Sequence, residues 1–194
     1  MILIYGATGY TGQLIAERAV ATGLRPVLAA RNRAALLPLA ERLGLEARVF
    51  DLGRPAAVAE GIRGAAVVLH TAGPFSATSR PMADACLQSG AHYLDITGEV
   101  GVFESLAARH AEAQAAGVML LPGVGFDVVP SDCLAFHVKQ RLPGATGLRL
   151  SIGGLGGGIS RGTAKTMMEA AGFGALVRRG GRIVESREPL QATA

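Results

Sequence analysis

The segment YGATGYTG, Tyr5 to Gly12, places three glycines three residues apart, at Gly6, Gly9 and Gly12. A position without a side chain lets a neighbour approach the main chain where a Cβ would exclude it. The apolar run MILIY precedes the segment. QLIAERAVATG follows it, with Leu14, Ile15, Ala19 and Val20 at helical spacing before a stop at Gly23. A glycine-rich turn between strand and helix aims unpaired N–H groups and the positive end of the helix dipole at one point, which attracts an anion. In this reading Gly6 permits the turn, Gly9 admits a diphosphate to the backbone, and Gly12 lets the helix pack on its strand. Thr8 and Thr11 add hydroxyl donors, and Ala7 and Tyr10 complete the loop. G-x-x-G-x-x-G is a variant of the familiar G-x-G-x-x-G, and it gains its meaning from the flanking strand and helix.

Two further segments carry the chemistry of a dinucleotide. LAARNR closes the second apolar run, with Arg31 and Asn32 following 19 and 20 residues after Gly12. A carboxylate there would bind the adenosine ribose and reject a 2′-phosphate. LAARNR holds no acid, and the planar cation of Arg31, assisted by Arg33, suits a phosphate monoester. The cofactor expected is therefore NADP, as NADPH, in preference to NAD. Asp51, at the end of EARVFD, is placed to accept from the adenine amino group with the Leu52 backbone sharing that work; a capping role for Asp51 is the alternative. HTAGPF would lay Thr71, Ala72, Gly73, Pro74 and Phe75 beside the nicotinamide ribose, Gly73 giving closeness and Pro74 fixing the bend.

The elements that must position these residues alternate regularly. RPVLAAR reads as a second strand, AALLPLAERLG as a helix, EARVFD as a third strand ending at Asp51, and Ala56 to Ile62 as a short helix. AAVVLHTAGPF is a fourth strand breaking at Gly73-Pro74, and SRPMADACLQSG a helix. AHYLDITGE gives a strand and loop, GVFESLAARHAEAQAAG one helix, and VMLLPGVGF another strand. Apolar strands alternating with helices imply an α/β fold, a doubly wound Rossmann-type parallel sheet covered on both faces. Ligands then bind beyond the carboxyl ends of the strands. Those ends carry Gly6 to Gly12, Arg31-Asn32, Asp51-Leu52, Thr71 to Phe75, Asp95 to Glu99 and Gly123 to Asp127.

Composition narrows the function classes. With 194 residues, 49% of them hydrophobic, and a mean hydropathy of +0.34, the chain can bury one sizeable core. No apolar run approaches the roughly eighteen residues of a membrane-spanning helix, and the start is a strand rather than a secretory leader, so a cytoplasmic location is expected. Cys86 and Cys133 lie far apart in apolar helical patterns and read as reduced core residues. The net charge of +4 is local: residues 1–140 carry 11 basic and 12 acidic groups, residues 141–194 carry 8 and 3. Arg178, Arg179, Arg182 and Arg187 have no interleaved aromatics, so they read as a solvated face and no nucleic-acid partner is expected. The four histidines, His70, His92, His110 and His137, lack metal-ligand spacing, so no metal is expected.

The mechanism of a short-chain dehydrogenase needs Tyr-x-x-x-Lys, but Tyr5, Tyr10 and Tyr93 are followed at that distance by Gly9, Leu14 and Thr97. At the nicotinamide end stand Thr97, Glu99, Phe126, Asp127, Ser131 and Asp132. Asp127 or Glu99 has the chemistry to handle a proton, while Ser131 and Asp132 read as the start of a helix. Hydride chemistry belongs to the cofactor, and no residue is assigned as catalytic.

GATGYTG, AAR, AGPF, YLDITGE, GFDVVPSD and SRGT, in that order, resemble the saccharopine dehydrogenase-like oxidoreductases, which include the trans-acting enoyl reductases of polyketide lipid pathways. The resemblance runs from Ile2 to the mid-180s. It implies an NADP-binding Rossmann-type domain over residues 1–143. Residues 144–194 would then open a mixed α/β domain that supplies a substrate pocket and homodimer contacts and is incomplete here. LRLSIGGLGGGISRGTAKTMMEAAG and GRIVESRE would form a strand, glycine-rich loop, helix and further strand of that domain. The activity implied is hydride transfer between NADPH and a small or lipid-linked substrate. The alternatives are a non-catalytic NADP-binding module or an inactive fragment.

Overall fold

The computed structural model describes residues 1–126, 128–151, 164, 167–168 and 174–186. The first strand, β1 (Ile2–Tyr5), leads through the glycine turn into α1 (Tyr10–Ala21). Then come β2 (Val27–Ala30), α2 (Arg33–Leu43), β3 (Ala47–Val49), α3 (Pro55–Gly61), β4 (Val67–His70) and α4 (Phe75–Ser89). The second half holds β5 (His92–Asp95), α5 (Val100–Ala107), α6 (His110–Ala116), β6 (Leu120–Leu121) and α7 (Val129–Arg141). All six strands pair in parallel in the order β3-β2-β1-β4-β5-β6. The chain reverses direction across the sheet between β1 and β4, and the ends of those two strands flank the crevice where such sheets bind ligands.

Strand pleating divides the core. Leu3 and Tyr5 point, with Val68 and Tyr93, into a cluster that takes in Val58, Met82, Cys86 and Leu106 from α3, α4 and α5. Ile4 points the other way, with Leu28 and Ala30, onto Ala16, Leu36, Leu39 and Ala40 of α1 and α2. Both faces of β1 and β2 are thereby dry, which is why these strands are apolar throughout.

Several elements differ from the sequence expectations. β3 stops at Val49, short of Asp51, because the Asp51 carboxylate folds back to accept from Gly53 N at 2.8 Å and starts a turn. β6 is two residues long: Pro122 has no N–H, and Gly123 N donates to the Asp95 side chain at 3.0 Å. The helix expected over 101–117 is two, α5 and α6. At the break between them the Arg109 guanidinium bonds Asp84 at 2.7 Å and Glu112 at 2.9 Å. Cys86 is buried, but Cys133 is exposed, because α7 buries none of its side chains.

The chain divides into two compact units, Met1–Gly156 and Gly157–Ala194. Residues 148–151 of the first, expected as a strand, have no regular structure. In the second, β7 (Ala175–Arg179) and β8 (Arg182–Ser186) form an antiparallel hairpin turning through Gly180 and Gly181, both at positive φ. The expected further strand is β8; β7 was not expected. The SRGT segment, Arg187 and most of the expected glycine-rich loop and helix lie outside the described residues.

Candidate dinucleotide crevice

Backbone contacts build the floor of the crevice. After β1 the chain turns at Gly6 with φ of +88°, while Gly6 N and Ala7 N both donate to Ala29 O, at 2.8 and 3.2 Å. A Cβ on Gly6 would stand 2.8 Å from Ala72 N and from Thr71 Oγ1. One on Gly12 would stand 2.3 Å from Gly6 O and 2.9 Å from Thr71 Oγ1. These two glycines let three backbone segments touch. Gly9 differs: its φ is −76°, and a Cβ there would meet only Gly6 O, at 3.3 Å. The opening at Gly9 faces away from the protein's own packing.

The N-terminus of α1 is electrostatically open. Gly9, its N-cap, supplies no side-chain acceptor, and the first turn holds no acidic residue. The N–H groups of Tyr10, Thr11 and Gly12 precede any carbonyl of the helix that could reach them. Two other helices that start at the carboxyl ends of strands, α2 and α4, are closed. Asn32 caps α2 by accepting from Ala35 N at 3.3 Å. The Glu99 carboxylate caps α4, taking Phe75 N at 2.9 Å and Ser76 N at 2.7 Å. Glu99, considered above for moving a proton, therefore holds two backbone donors already.

Arg31 and Asp51 meet at the ends of β2 and β3. The Arg31 side chain is 79% exposed, and its Nε lies 3.8 Å from Oδ2 of Asp51. LAARNR holds no acid, yet the fold brings one alongside from twenty residues further on. Tyr5 links this pair to the floor by donating to Phe50 O at 3.2 Å, and its hydroxyl is pushed up to about 12 by burial and by Asp51, partly offset by Arg31. Leu52 packs partly buried against the core.

The Thr71–Phe75 loop forms the opposite wall and is tied at Thr71, Ala72, Pro74 and Phe75. Thr71 donates twice to Tyr5 O, from N at 2.8 Å and from Oγ1 at 2.9 Å. The Gly73-Pro74 peptide is cis. The Thr78 hydroxyl sits 2.7 Å from Ala72 O and 2.9 Å from Pro74 O, and His70 Nε2 lies 3.0 Å from it. Ala7 and Phe75 are buried, and their N–H groups already donate to Ala29 O and to the Glu99 carboxylate.

Beyond β5, Asp95 is fully buried and serves as a hub. Its Oδ1 accepts from Thr97 N at 2.9 Å and Gly123 N at 3.0 Å, and its Oδ2 accepts from Tyr93 OH at 2.6 Å. Burial and the adjacent carboxylate push the Tyr93 phenol well above its ordinary range. Sequence reasoning placed Asp95 at a strand end but gave it no role. Thr97 accepts from Glu99 N at 3.0 Å, and Phe126 is 83% exposed. Pro130 and Asp132 stand in the first turn of α7, and Ser131 donates to Val128 O at 2.9 Å, as expected of a helix start. Asp127 lies outside the described residues. Among the described residues no group of three or more His, Cys, Asp or Glu side chains could hold a metal, and no helix is long and apolar enough to cross a membrane.

Open surface recesses occur elsewhere: one of about 470 Å³ beside Arg48, Phe50 and Gly61, and one of about 520 Å³ beside Leu106, His110 and Leu120. They lie against β3 and β6, the outer strands of the sheet. We favour the strand-end crevice as the site because open N–H donors and a cation converge on it, whereas the recesses lack that convergence.

A doubly wound sheet with a glycine-lined turn into an uncapped helix at its switch point defines the Rossmann class. The family model for the saccharopine dehydrogenase NADP binding domain matches residues 2–121, and the chain belongs to that family. A trans-acting enoyl reductase of Mycobacterium ulcerans is 35% identical over 150 residues, covering 72% of this chain and 35% of the relative. A human saccharopine dehydrogenase-like oxidoreductase is 27% identical over 163 residues, covering 74% of this chain and 38% of the relative. The chain thus spans less than half the length of these relatives. The solved structure of saccharopine dehydrogenase (L-Glu forming) from Saccharomyces cerevisiae shares the fold, with a TM-score of 0.65 at 17% identity over 74% of this chain and 31% of that one.

Proposed function

We propose that this chain is the cofactor-binding part of an NADPH-dependent oxidoreductase that transfers hydride between NADPH and a small or lipid-linked substrate. The observation that carries the reading is the open N-terminus of α1 at the switch point, with Arg31 at the neighbouring strand end. The fit rests on two features: N–H donors without intrahelical acceptors, and a space at Gly9 that a Cβ would fill. In this reading the Tyr10, Thr11 and Gly12 amides hold the diphosphate, with Thr8 and Thr11 hydroxyls assisting. Arg31 holds the 2′-phosphate with Asn32 at its side, and Asp51 with the Leu52 backbone faces the adenine. Residues Thr71 to Phe75 line the nicotinamide side. NADPH, when bound, supplies the hydride. The protein's part is to orient the dinucleotide and to keep the loop beside it rigid, which the Thr71, Thr78 and Glu99 bonds do.

The family name supports NADP, and the relatives' names support an oxidoreductase. The division into a cofactor domain at 1–143 and the opening of a substrate and dimer domain at 144–194 is part of the proposal, as is a cytoplasmic setting. A binding module without turnover is the second reading, and the commitment of Glu99 to α4 favours it, since that removes one proton-handling group.

Fluorescence titration tests the cofactor reading. NADPH is expected to bind more tightly than NADH, and Arg31→Ala to weaken NADPH by about 1.5–3 kcal/mol while sparing NADH, the range of a hydrogen bond to a charged group. Equal losses for both cofactors would remove Arg31 from 2′-phosphate recognition. Substrate-dependent NADPH oxidation by the full-length protein separates the enzyme from the binding module.

A further inference from the structure

His70 ends β4 one residue before the Thr71–Phe75 loop and is completely buried. Three aromatic rings surround it: Tyr5 at 5.6 Å, Phe75 edge-on at 5.4 Å, and Tyr93 at 6.2 Å between centroids. The ring's one hydrogen-bond partner among the described residues is Thr78 Oγ1, at 3.0 Å from Nε2, and Nδ1 has none.

The hydrogen positions follow from donor arithmetic. A threonine hydroxyl has a single proton, and Thr78 Oγ1 stands 2.7 Å from Ala72 O and 2.9 Å from Pro74 O. Carbonyls only accept, so that proton goes to them. The hydroxyl then accepts from His70, so Nε2 carries the hydrogen and Nδ1 keeps a buried lone pair. A phenyl ring in this aromatic nest would leave no orphan acceptor. What the imidazole adds is the Nε2–H bond, and that bond fixes Thr78 in the orientation that shares its one proton between the two loop carbonyls.

We propose that His70 is a positioning residue for the nicotinamide half of the dinucleotide: through Thr78 it sets the Ala72 and Pro74 carbonyls, and with them the wall against which that half lies. The inference rests on the cofactor reading above. Burial, which pushes the imidazole down to about 3, keeps the ring neutral through the range in which the protein would work.

The test compares NADPH with adenosine 2′,5′-bisphosphate, which lacks the nicotinamide half, by calorimetric titration of the 194-residue chain. His70→Phe and Thr78→Val, which break the relay from opposite ends, should each weaken NADPH about tenfold, near the worth of one hydrogen bond, and leave the bisphosphate within about twofold. His70→Gln, which keeps an N–H donor near the Nε2 position, should recover most of the NADPH affinity. Thr78→Val is close to isosteric and keeps the comparison available should His70→Phe fail to fold. Parallel losses of both ligands, or no loss of either, with wild-type binding intact, would overturn this inference alone. Wild-type protein that binds neither ligand would overturn the cofactor reading and this inference with it.

Discussion

At Arg31 two electrostatic demands meet. Its guanidinium pairs with Asp51 at 3.8 Å, but with 79% of the Arg31 side chain in water such a pair is worth about 0–1 kcal/mol. A phosphate held by charge-assisted hydrogen bonds competes well against that. Asp51 nevertheless places a like charge beside the expected 2′-phosphate. Asp51→Asn should therefore tighten NADPH by about twofold to tenfold and leave NADH nearly unchanged, the scale of one solvent-screened charge contact. Titration of both cofactors checks this, and tighter NADH alone would contradict it. Arg31 was nominated from the sequence because a cation after the second strand suits a phosphate monoester. Its partner was not, since the ion pair joins residues twenty positions apart and forms only when β2 and β3 lie side by side. His70 was equally hidden: VVLH reads as an ordinary strand, and nothing in it marks the last residue as polar yet fully buried.

At the scale of elements, the three glycines separate into packing and access. Gly12→Ala would drive a Cβ to 2.3 Å from Gly6 O and should destabilise the fold by about 1–3 kcal/mol, as overpacking does. Gly9→Ala, with an ordinary φ of −76° and one contact at 3.3 Å, should change stability by about 1 kcal/mol or less. Its methyl stands where a diphosphate would approach, so NADPH affinity should fall about tenfold or more, a loss of about 1.4 kcal/mol. Thermal melts and titrations of the two variants, read together, check the division; a Gly9→Ala protein that binds normally would contradict it. Farther along the edge, Asp95→Ala would strand Thr97 N, Gly123 N and Tyr93 OH, and denaturant unfolding should show a loss of about 3 kcal/mol or more. The alternation of strands and helices was readable because each strand is an apolar run and most breaks fall at Gly or Pro. The α5–α6 break was not, having neither residue to mark it. The β7–β8 hairpin carried a usable signal, Gly180-Gly181 between two strand-like runs, that the sequence reading passed over.

For the whole molecule, one buried ring makes a defined contribution to acid stability. The folded protein holds the His70 imidazole down at about 3, against 6.5 for the free side chain. Between these values the unfolded chain takes up a proton that the folded chain refuses, so this contribution is complete above pH 6.5 and lost as pH falls. The slope is about 1.4 kcal/mol per pH unit for one proton. Denaturant unfolding from pH 7 to pH 4 should show it, and His70→Gln should flatten it whatever its overall stability; an unchanged slope would contradict the assignment. The parallel doubly wound fold was the most legible level of all, since apolar strands separated by helices have few other ways to cover both faces. The strand-end cluster followed from it.

The most direct test is a crystal structure of the chain grown with NADP. The account expects the diphosphate on the Tyr10, Thr11 and Gly12 amides, the 2′-phosphate within hydrogen-bond distance of the Arg31 guanidinium, and the nicotinamide ribose against Thr71 to Phe75. Density for the dinucleotide away from the α1 N-terminus, or a 2′-phosphate turned from Arg31 while Asp51 keeps that cation, would contradict it.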